Sequence, residues 1–172
     1  MSTTGFATFD FDQWPEFSKT LLVFLMFIGA CAGSTAGGLK VSRVIILIKH
    51  CACEIKHMMR PGSVNVVRID NSPVDRETVK KATTHLTIYS FLTVVSVILI
   101  SVDGFSFTSN VTAVISCINN IGPGLEIVGP TGNFAGYSAF SKLILSAVML
   151  IGRLEIMPMM VLFASFFSNK KR

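Results

Sequence analysis

The first long apolar run, Leu21 to Ile28, resumes at Val41 after a glycine-rich interruption and continues through Ile48. Together the two halves form a candidate membrane-crossing helix from Phe17 to about Lys49, broken in its middle. An interior glycine weakens a helix by roughly 1 kcal/mol relative to alanine, so Gly33, Gly37 and Gly38 predict unwound backbone. At membrane depth such backbone persists only where it is buried in protein or lines water. At about 1.5 Å per residue the stretch exceeds a hydrocarbon core of about 30 Å, so residues 49–60 are expected to emerge from it. Pro61-Gly62 then stops the helix.

The alternation from Ser63 to Pro73 suggests a small cytoplasmic hairpin, and a second helix is expected from a cap at Ser72 or Asp75 through Val79, His85 and the apolar stretch Leu86 to Ile100. Asp103-Gly104 ends it. The next apolar segment, Ser109 to Ile118, is too short to cross, and Asn119-Asn120-Ile121-Gly122-Pro123-Gly124 follows at once. That order fits a re-entrant pore helix with an extended return, its carboxy-terminal end turning negative partial charge toward a cation. A last crossing is expected from Phe140 to Phe167, and Trp14-Pro15 reads as an interfacial anchor before the first helix. The pattern predicts an all-α integral membrane fold. It reads as the end of one helix, pore helix, helix unit over residues 1–60, a cytoplasmic linker over 61–75, and a complete unit over 76–172.

Composition agrees with a membrane protein: 51% of the 172 residues are hydrophobic and 15% charged. The amino terminus shows no basic region followed by an apolar core, so no cleavable signal is expected. The net charge of +5 is better read by position. Lys40, Arg43, Lys49, Lys56, Arg60, Arg68, Arg76, Lys80 and Lys81 crowd one segment and Lys170, Lys171 and Arg172 another, whereas no lysine or arginine occurs between Ala82 and Ser141. The positive-inside rule places the basic segment and the carboxy terminus in the cytoplasm. The basic segment links spans, so nucleic acid is not expected as a partner, whereas membrane lipid is. Cys51-Ala52-Cys53 lies near His50 and His57, but no second ligand pair with zinc spacing follows, and reduced packing thiols are expected.

Several polar or flexible positions carry candidate chemistry. Asn120, Ile121, Gly122 and Pro123, and likewise Thr3, Thr4, Gly5 and Phe6, are candidates for a selectivity filter, because stripping water from a cation requires several backbone carbonyls and glycine permits the torsions needed. The alternative for Gly-Pro-Gly is an ordinary external turn. Arg153 stands within an apolar span, where an unpaired charge costs at least about 2.5 kcal/mol, so it should face an interior or a water-filled cavity; the alternative is a structural pair with Glu155. Lys40 can serve as a movable positive charge or snorkel toward the cytosol. Asn110-Val111-Thr112 matches a glycosylation acceptor and is read as a cap for the pore helix. A phosphate-binding loop is excluded because Gly38 is followed by Leu39 rather than by a lysine and a hydroxyl.

Three motifs, Ala32-Gly33-Ser34-Thr35-Ala36-Gly37-Gly38-Leu39-Lys40, Asn119 to Gly124, and Met149-Leu150-Ile151-Gly152-Arg153-Leu154-Glu155, resemble in order the signatures of Trk/Ktr-type potassium uptake transporters, the Trk membrane subunit above all. The resemblance covers nearly the whole chain. It implies four helix, pore helix, helix repeats around one pore, with Thr3 to Phe6 in the third filter segment, Asn120 to Pro123 in the fourth, and potassium as the bound ion without an organic cofactor. It implies that Gly33, Ser34, Thr35, Ala36, Gly37, Gly38 and Lys40 form an intramembrane gate with Arg153 beside it. It further implies a cytosolic nucleotide-binding regulatory subunit, a homodimer when complete, and the cytoplasmic (inner) membrane as location. The first two repeats are absent, so this chain is expected to be a carboxy-terminal portion that needs the remaining repeats of the transporter. No bond chemistry is expected. The rivals are a non-conducting membrane scaffold or assembly subunit, and a multi-pass enzyme, which the lack of an intramembrane His, Asp or Glu cluster disfavours.

Overall fold

A computed structural model describes residues 4–29, 38–60, 67–69 and 72–154. Helix α1 spans Glu16–Phe27 and α2 spans Val41–Met59, so the long apolar stretch is indeed two helices. Pro15 fixes the backbone entering α1, and Lys19 pairs with Glu16 at 3.1 Å on its first turn. The two helices are joined at a neck. Ile28 and Leu39 form a parallel bridge, and the Gly29 amide donates to the Leu39 carbonyl at 2.8 Å. Most of the glycine-rich interruption, residues 30–37, lies outside the described residues.

Beyond α2 the described residues of the expected hairpin hold two short strands, β1 (Arg68–Ile69) and β2 (Ser72–Pro73), paired antiparallel with Arg68 opposite Pro73. Helix α3 then runs from Arg76 to Ile100. Asp75 occupies its cap position, but no side-chain cap bond is made there, which corrects the expectation that Ser72 or Asp75 caps the free amides. A turn of 3-10 helix at Ser101–Asp103 and a left-handed Gly104 (φ 74°) end it. This stretch, Arg76–Asp103, is long and apolar enough to cross a membrane, with a mean hydropathy of 2.0 over an 18-residue window within it.

Helix α4, Phe107–Ile118, is the centre of the fold. Every residue from Thr112 to Ile118 is buried, with Ala113, Val114, Ile115 and Ser116 fully so. The helices around it present stripes spaced by three and four: Val79, Ala82, His85 and Tyr89 on α3, and Ser141, Leu145, Val148 and Gly152 on α5 (Ala139–Arg153). Their other faces carry exposed Phe91, Val94, Ile98, Leu143 and Leu150, as expected of helices that meet lipid or further protein rather than water.

One further expectation needs correction. The amino-terminal cap of α4 is Ser106, whose hydroxyl accepts from the Ser109 amide at 3.1 Å, not Asn110 or Thr112. Asn110 is buried inside the helix, where its Oδ1 accepts from the Tyr137 hydroxyl at 3.1 Å and its Nδ2 donates to the Phe105 carbonyl at 3.2 Å. Helix α5 ends on Arg153 with Leu154 as cap, and the rest of the expected last crossing, beyond residue 154, lies outside the described residues. Glu155, Pro158 and the basic tail lie outside the described residues.

Candidate functional site: a filter-like loop and the neck beneath it

The end of α4 is built by local chemistry. The Ile121 amide donates to the Ser116 carbonyl at 2.9 Å and the Asn120 amide to the Cys117 carbonyl at 3.1 Å, while Asn120 adopts the left-handed conformation (φ 53°). This is a Schellman cap in which asparagine takes the place more often held by glycine. The chain is thereby turned out of the helix, and Asn120 to Pro123 form an irregular strand along its end. Among the described residues no backbone amide donates to the carbonyl oxygens of Asn120, Ile121, Gly122 or Pro123. Carbonyls left unengaged beside the negative end of a helix can coordinate a dehydrated cation.

The return from this loop is fixed from behind. The Thr112 hydroxyl donates to the Thr108 carbonyl at 2.8 Å and accepts from the Leu125 amide at 3.1 Å. The Gly124 amide donates to the Val128 carbonyl at 2.6 Å. At the front, Asn120 Nδ2 donates to the Met149 carbonyl of α5 at 3.2 Å.

The structure brings the two sequence-predicted filter segments together. Gly5 (φ 73°) lies against the Asn120–Pro123 loop so closely that a Cβ there would fall 2.6 Å from the Ile121 carbonyl oxygen and 3.3 Å from Pro123 Cδ. Gly122 has φ 109°, also disfavoured for side-chain-bearing residues, and its nearest approach is to Gly5 Cα. Thr4 and Phe6 flank Gly5 on the exposed side; Thr3 lies outside the described residues.

Farther out, Asp12 and Glu126 stitch the two segments. Asp12 Oδ1 accepts from the Glu126 amide at 3.0 Å. The Glu126 carboxylate accepts from the hydroxyls of Ser106 and Ser109 at the positive end of α4, and these bonds hold its pKa below the usual 4.5. A carboxylate with a lowered folded pKa contributes stability that is present above its unfolded value and lost as pH falls through the folded one. Acidification below the ordinary glutamate range is therefore expected to loosen this loop in the wild type. Melting curves of the purified protein across that range check it: Glu126→Gln should show a smaller acid-dependent fall in midpoint, and an equal fall in both proteins would count against the assignment.

Beside the Asn120–Pro123 loop, the described parts of the expected gate converge on the same helix end. Gly38 (φ 81°) rests on the side chain of Asn119, and Gly152 rests on the Ile118 carbonyl, where a Cβ would fall 2.0 Å from the oxygen. Arg153 follows Gly152 and is exposed. Lys40 precedes the first turn of α2 and is partly buried. Gly33, Ser34, Thr35, Ala36 and Gly37 lie outside the described residues. Cys51, Cys53 and Cys117 are free thiols.

Sequence reasoning missed Tyr89, whose hydroxyl accepts from Asn119 Nδ2 at 2.9 Å, Thr112 behind the loop, Asp12 and Glu126. Only Glu126 carried a usable signal, a lone acid just beyond the glycine loop.

A family model described as TrkH, cation transport protein, matches residues 1–171. The chain is 37% identical over 166 residues to the Trk system potassium uptake protein TrkH of Salmonella typhimurium, covering 96% of this chain and 34% of that protein. It is 31% identical over 167 residues to the Trk system potassium uptake protein TrkG of Escherichia coli, covering 97% of this chain and 34% of that protein. The crystal structure of the potassium transporter TrkH from Vibrio parahaemolyticus superposes with a TM-score of 0.81 at 35% identity, covering 94% of this chain and 34% of that one. The chain thus spans about a third of the length of the relatives it matches.

Proposed function

We propose, since the chain belongs to the TrkH family of cation transport proteins, that it supplies part of the potassium-conducting pore of a Trk-type transporter. The family moves cations across membranes and performs no bond chemistry. In this reading residues 1–60 are the end of a third repeat, 61–75 a cytoplasmic linker and 76–172 the fourth repeat, with the other repeats completing the pore. The observation that carries it is the meeting of Gly5 and the Ile121–Pro123 segment, both with backbone that favours glycine, at the carboxy-terminal end of the buried helix α4. Two separate stretches of chain are converged there on carbonyls to which no described backbone amide donates.

Thr3, Thr4, Gly5, Phe6, Asn120, Ile121, Gly122 and Pro123 are then the ion-binding filter residues, and potassium is the transported ion. Gly33 to Gly38 and Lys40 form the gate, and Arg153 places a fixed positive charge at the level of the filter's inner end. A cytosolic nucleotide-binding subunit docking on the basic cytoplasmic segment, a homodimeric assembly and residence in the inner membrane with the carboxy terminus in the cytoplasm complete the proposal.

The test is growth at low potassium of a host lacking its own uptake systems. The whole gene product containing these residues should rescue growth; failure to rescue while present in the membrane would favour the non-conducting scaffold. For Arg153, alanine should change the rate of potassium uptake at unchanged membrane abundance. A loss of abundance with normal uptake per molecule would instead make Arg153 structural.

A further inference from the structure

The segment that carries Gly5 meets the loop after α4 at one end and is fastened to it again seven residues later, at Asp12. Asp12 Oδ1 accepts from the Glu126 amide at 3.0 Å. Its Oδ2 is turned onto Gly129, where a Cβ would fall 2.0 Å from that oxygen and 3.1 Å from Cγ, so a larger residue at 129 would push the carboxylate aside. The backbone of Asp12 is set as well, by the turn Phe11–Gln13, in which Asp10 Oδ1 accepts from the Asp12 amide at 3.1 Å. Between the two contacts Phe6, Ala7, Thr8 and Phe9 are exposed within this chain, so the ends of the segment hold its place.

What Asp12 grips is rigid. Glu126 has φ 57°, a left-handed conformation that a side-chain-bearing residue keeps only where its surroundings over-determine it. Here its amide is held by Asp12, its carbonyl accepts from the Gly129 amide at 2.9 Å, and its carboxylate accepts from the Ser106 and Ser109 hydroxyls at the first turn of α4. The Thr112 hydroxyl holds the Leu125 amide, and the Val128 carbonyl holds the Gly124 amide. Residues 124–129 are thereby bound to α4, and the far end of α4 carries Asn120 to Pro123. Fastening Asp12 to Glu126 fastens the Gly5 segment to that same frame.

We propose that Asp12 is a specificity-determining positioning residue: by tying the Gly5 segment to Glu126 and Gly129 it sets the spacing between Gly5 and the Ile121 to Pro123 backbone, and with it the preference for potassium over sodium. The proposal rests on the reading of these two segments as an ion filter. Asp12 touches no ion in it and acts through the backbone it places. Carbonyls discriminate between cations by the size of the space they enclose and by how many dipoles reach the ion, and both depend on how facing segments are spaced. A carboxylate near a pore mouth has another use, as a charge that gathers cations. The geometry favours the tie, because one oxygen is taken by an amide and the other is packed on Gly129.

The experiment measures relative uptake of potassium and sodium by vesicles containing the whole transporter, at low and at high ionic strength set with an impermeant organic salt. Asp12→Ala removes the acceptor and should lower the potassium-to-sodium ratio several-fold. Asp12→Asn keeps an acceptor oxygen for the Glu126 amide while losing the charge, and its ratio should stay near that of the wild type. Neither result should change with salt, whereas attraction by an exposed charge is screened beyond about 10 Å at 0.1 M. A wild-type ratio in Asp12→Ala overturns the tie. So does an equal fall in Asp12→Ala and Asp12→Asn, or a loss that vanishes at high salt, since either makes Asp12 a charge and not a tether. Gly129→Ala attacks the tie from its other side and keeps the test decisive if Asp12→Ala fails to accumulate. It should also lower the ratio, with no further fall when Asp12→Ala is added; a wild-type ratio in Gly129→Ala, or an additive fall in the double variant, overturns the tie. Gly122→Ser is run alongside: if it alters discrimination and Asp12→Ala does not, the tie alone falls, and if Gly122→Ser leaves discrimination unchanged the filter reading falls and the tie with it.

Discussion

Replacing Gly152 by alanine is expected to remove most of the folded transporter from the membrane. The added methyl would stand 2.0 Å from the Ile118 carbonyl oxygen, 2.8 Å from its carbon and 3.2 Å from the Ile118 Cα. All three are backbone atoms of α4, so no side chain can swing aside to admit it. Small residues at such crossings let helix backbones approach closely in membranes. Forcing α5 outward would also pull the Met149 carbonyl from Asn120 and disturb the start of the Asn120–Pro123 loop. Overpacking of a tight site costs typically about 1–3 kcal/mol, a large part of the roughly 5–15 kcal/mol that separates folded from unfolded protein. The yield of monodisperse protein in detergent and its melting temperature should both fall. A Gly152→Ala protein that accumulates and melts like the wild type would mean that the crossing is looser than it stands here.

Gly122→Ser should do the opposite, sparing the fold and degrading ion discrimination. A Cβ at Gly122 meets nothing nearer than Gly5 Cα, at 4.0 Å, so there is room for it. The difficulty is the torsion. A φ of 109° lies where side-chain-bearing residues are strained by about 1–3 kcal/mol, and the chain relieves this most easily by rotating the neighbouring peptide planes. Those planes carry the Ile121 and Gly122 carbonyls proposed to replace potassium's water. Losing about 1.4 kcal/mol of preference for potassium over sodium corresponds to about tenfold in relative affinity. Relative uptake of sodium and potassium by the purified transporter in vesicles is the measurement, with protein yield as the control. Normal yield with unchanged discrimination would take Gly122 out of the filter. The contrast between the two glycines is instructive, since one is needed for space and the other for torsion.

Much of the architecture is legible in the chain because it depends on local pattern. The apolar runs mark α1, α2, α3 and α5, and the glycines between Ile28 and Val41 mark the break. The length of Ser109 to Ile118 marks a helix that cannot cross, and Asn119-Asn120 supplies a cap that ends it. The family's motifs add the order of the repeats. The amino-terminal caps were less legible: Ser106 and Asn110 are both good cap residues, and only the burial of Asn110 against Tyr137 and Phe105 decides between them.

By itself, then, the sequence determined that this is a helical membrane protein with a half-length helix, a glycine-bearing return loop and a helix broken at glycines. Hydrophobic length and backbone propensity act over a few residues, so both can be read without a partner. Only the tertiary structure decided which glycines serve torsion and which serve space. It also decided that Gly5 meets Ile121 and Pro123, that Gly38 rests on Asn119, and that Tyr89 holds that asparagine in place. These contacts join residues far apart in the chain through packing around α4, and no local pattern along the chain encodes which atoms will be left facing one another.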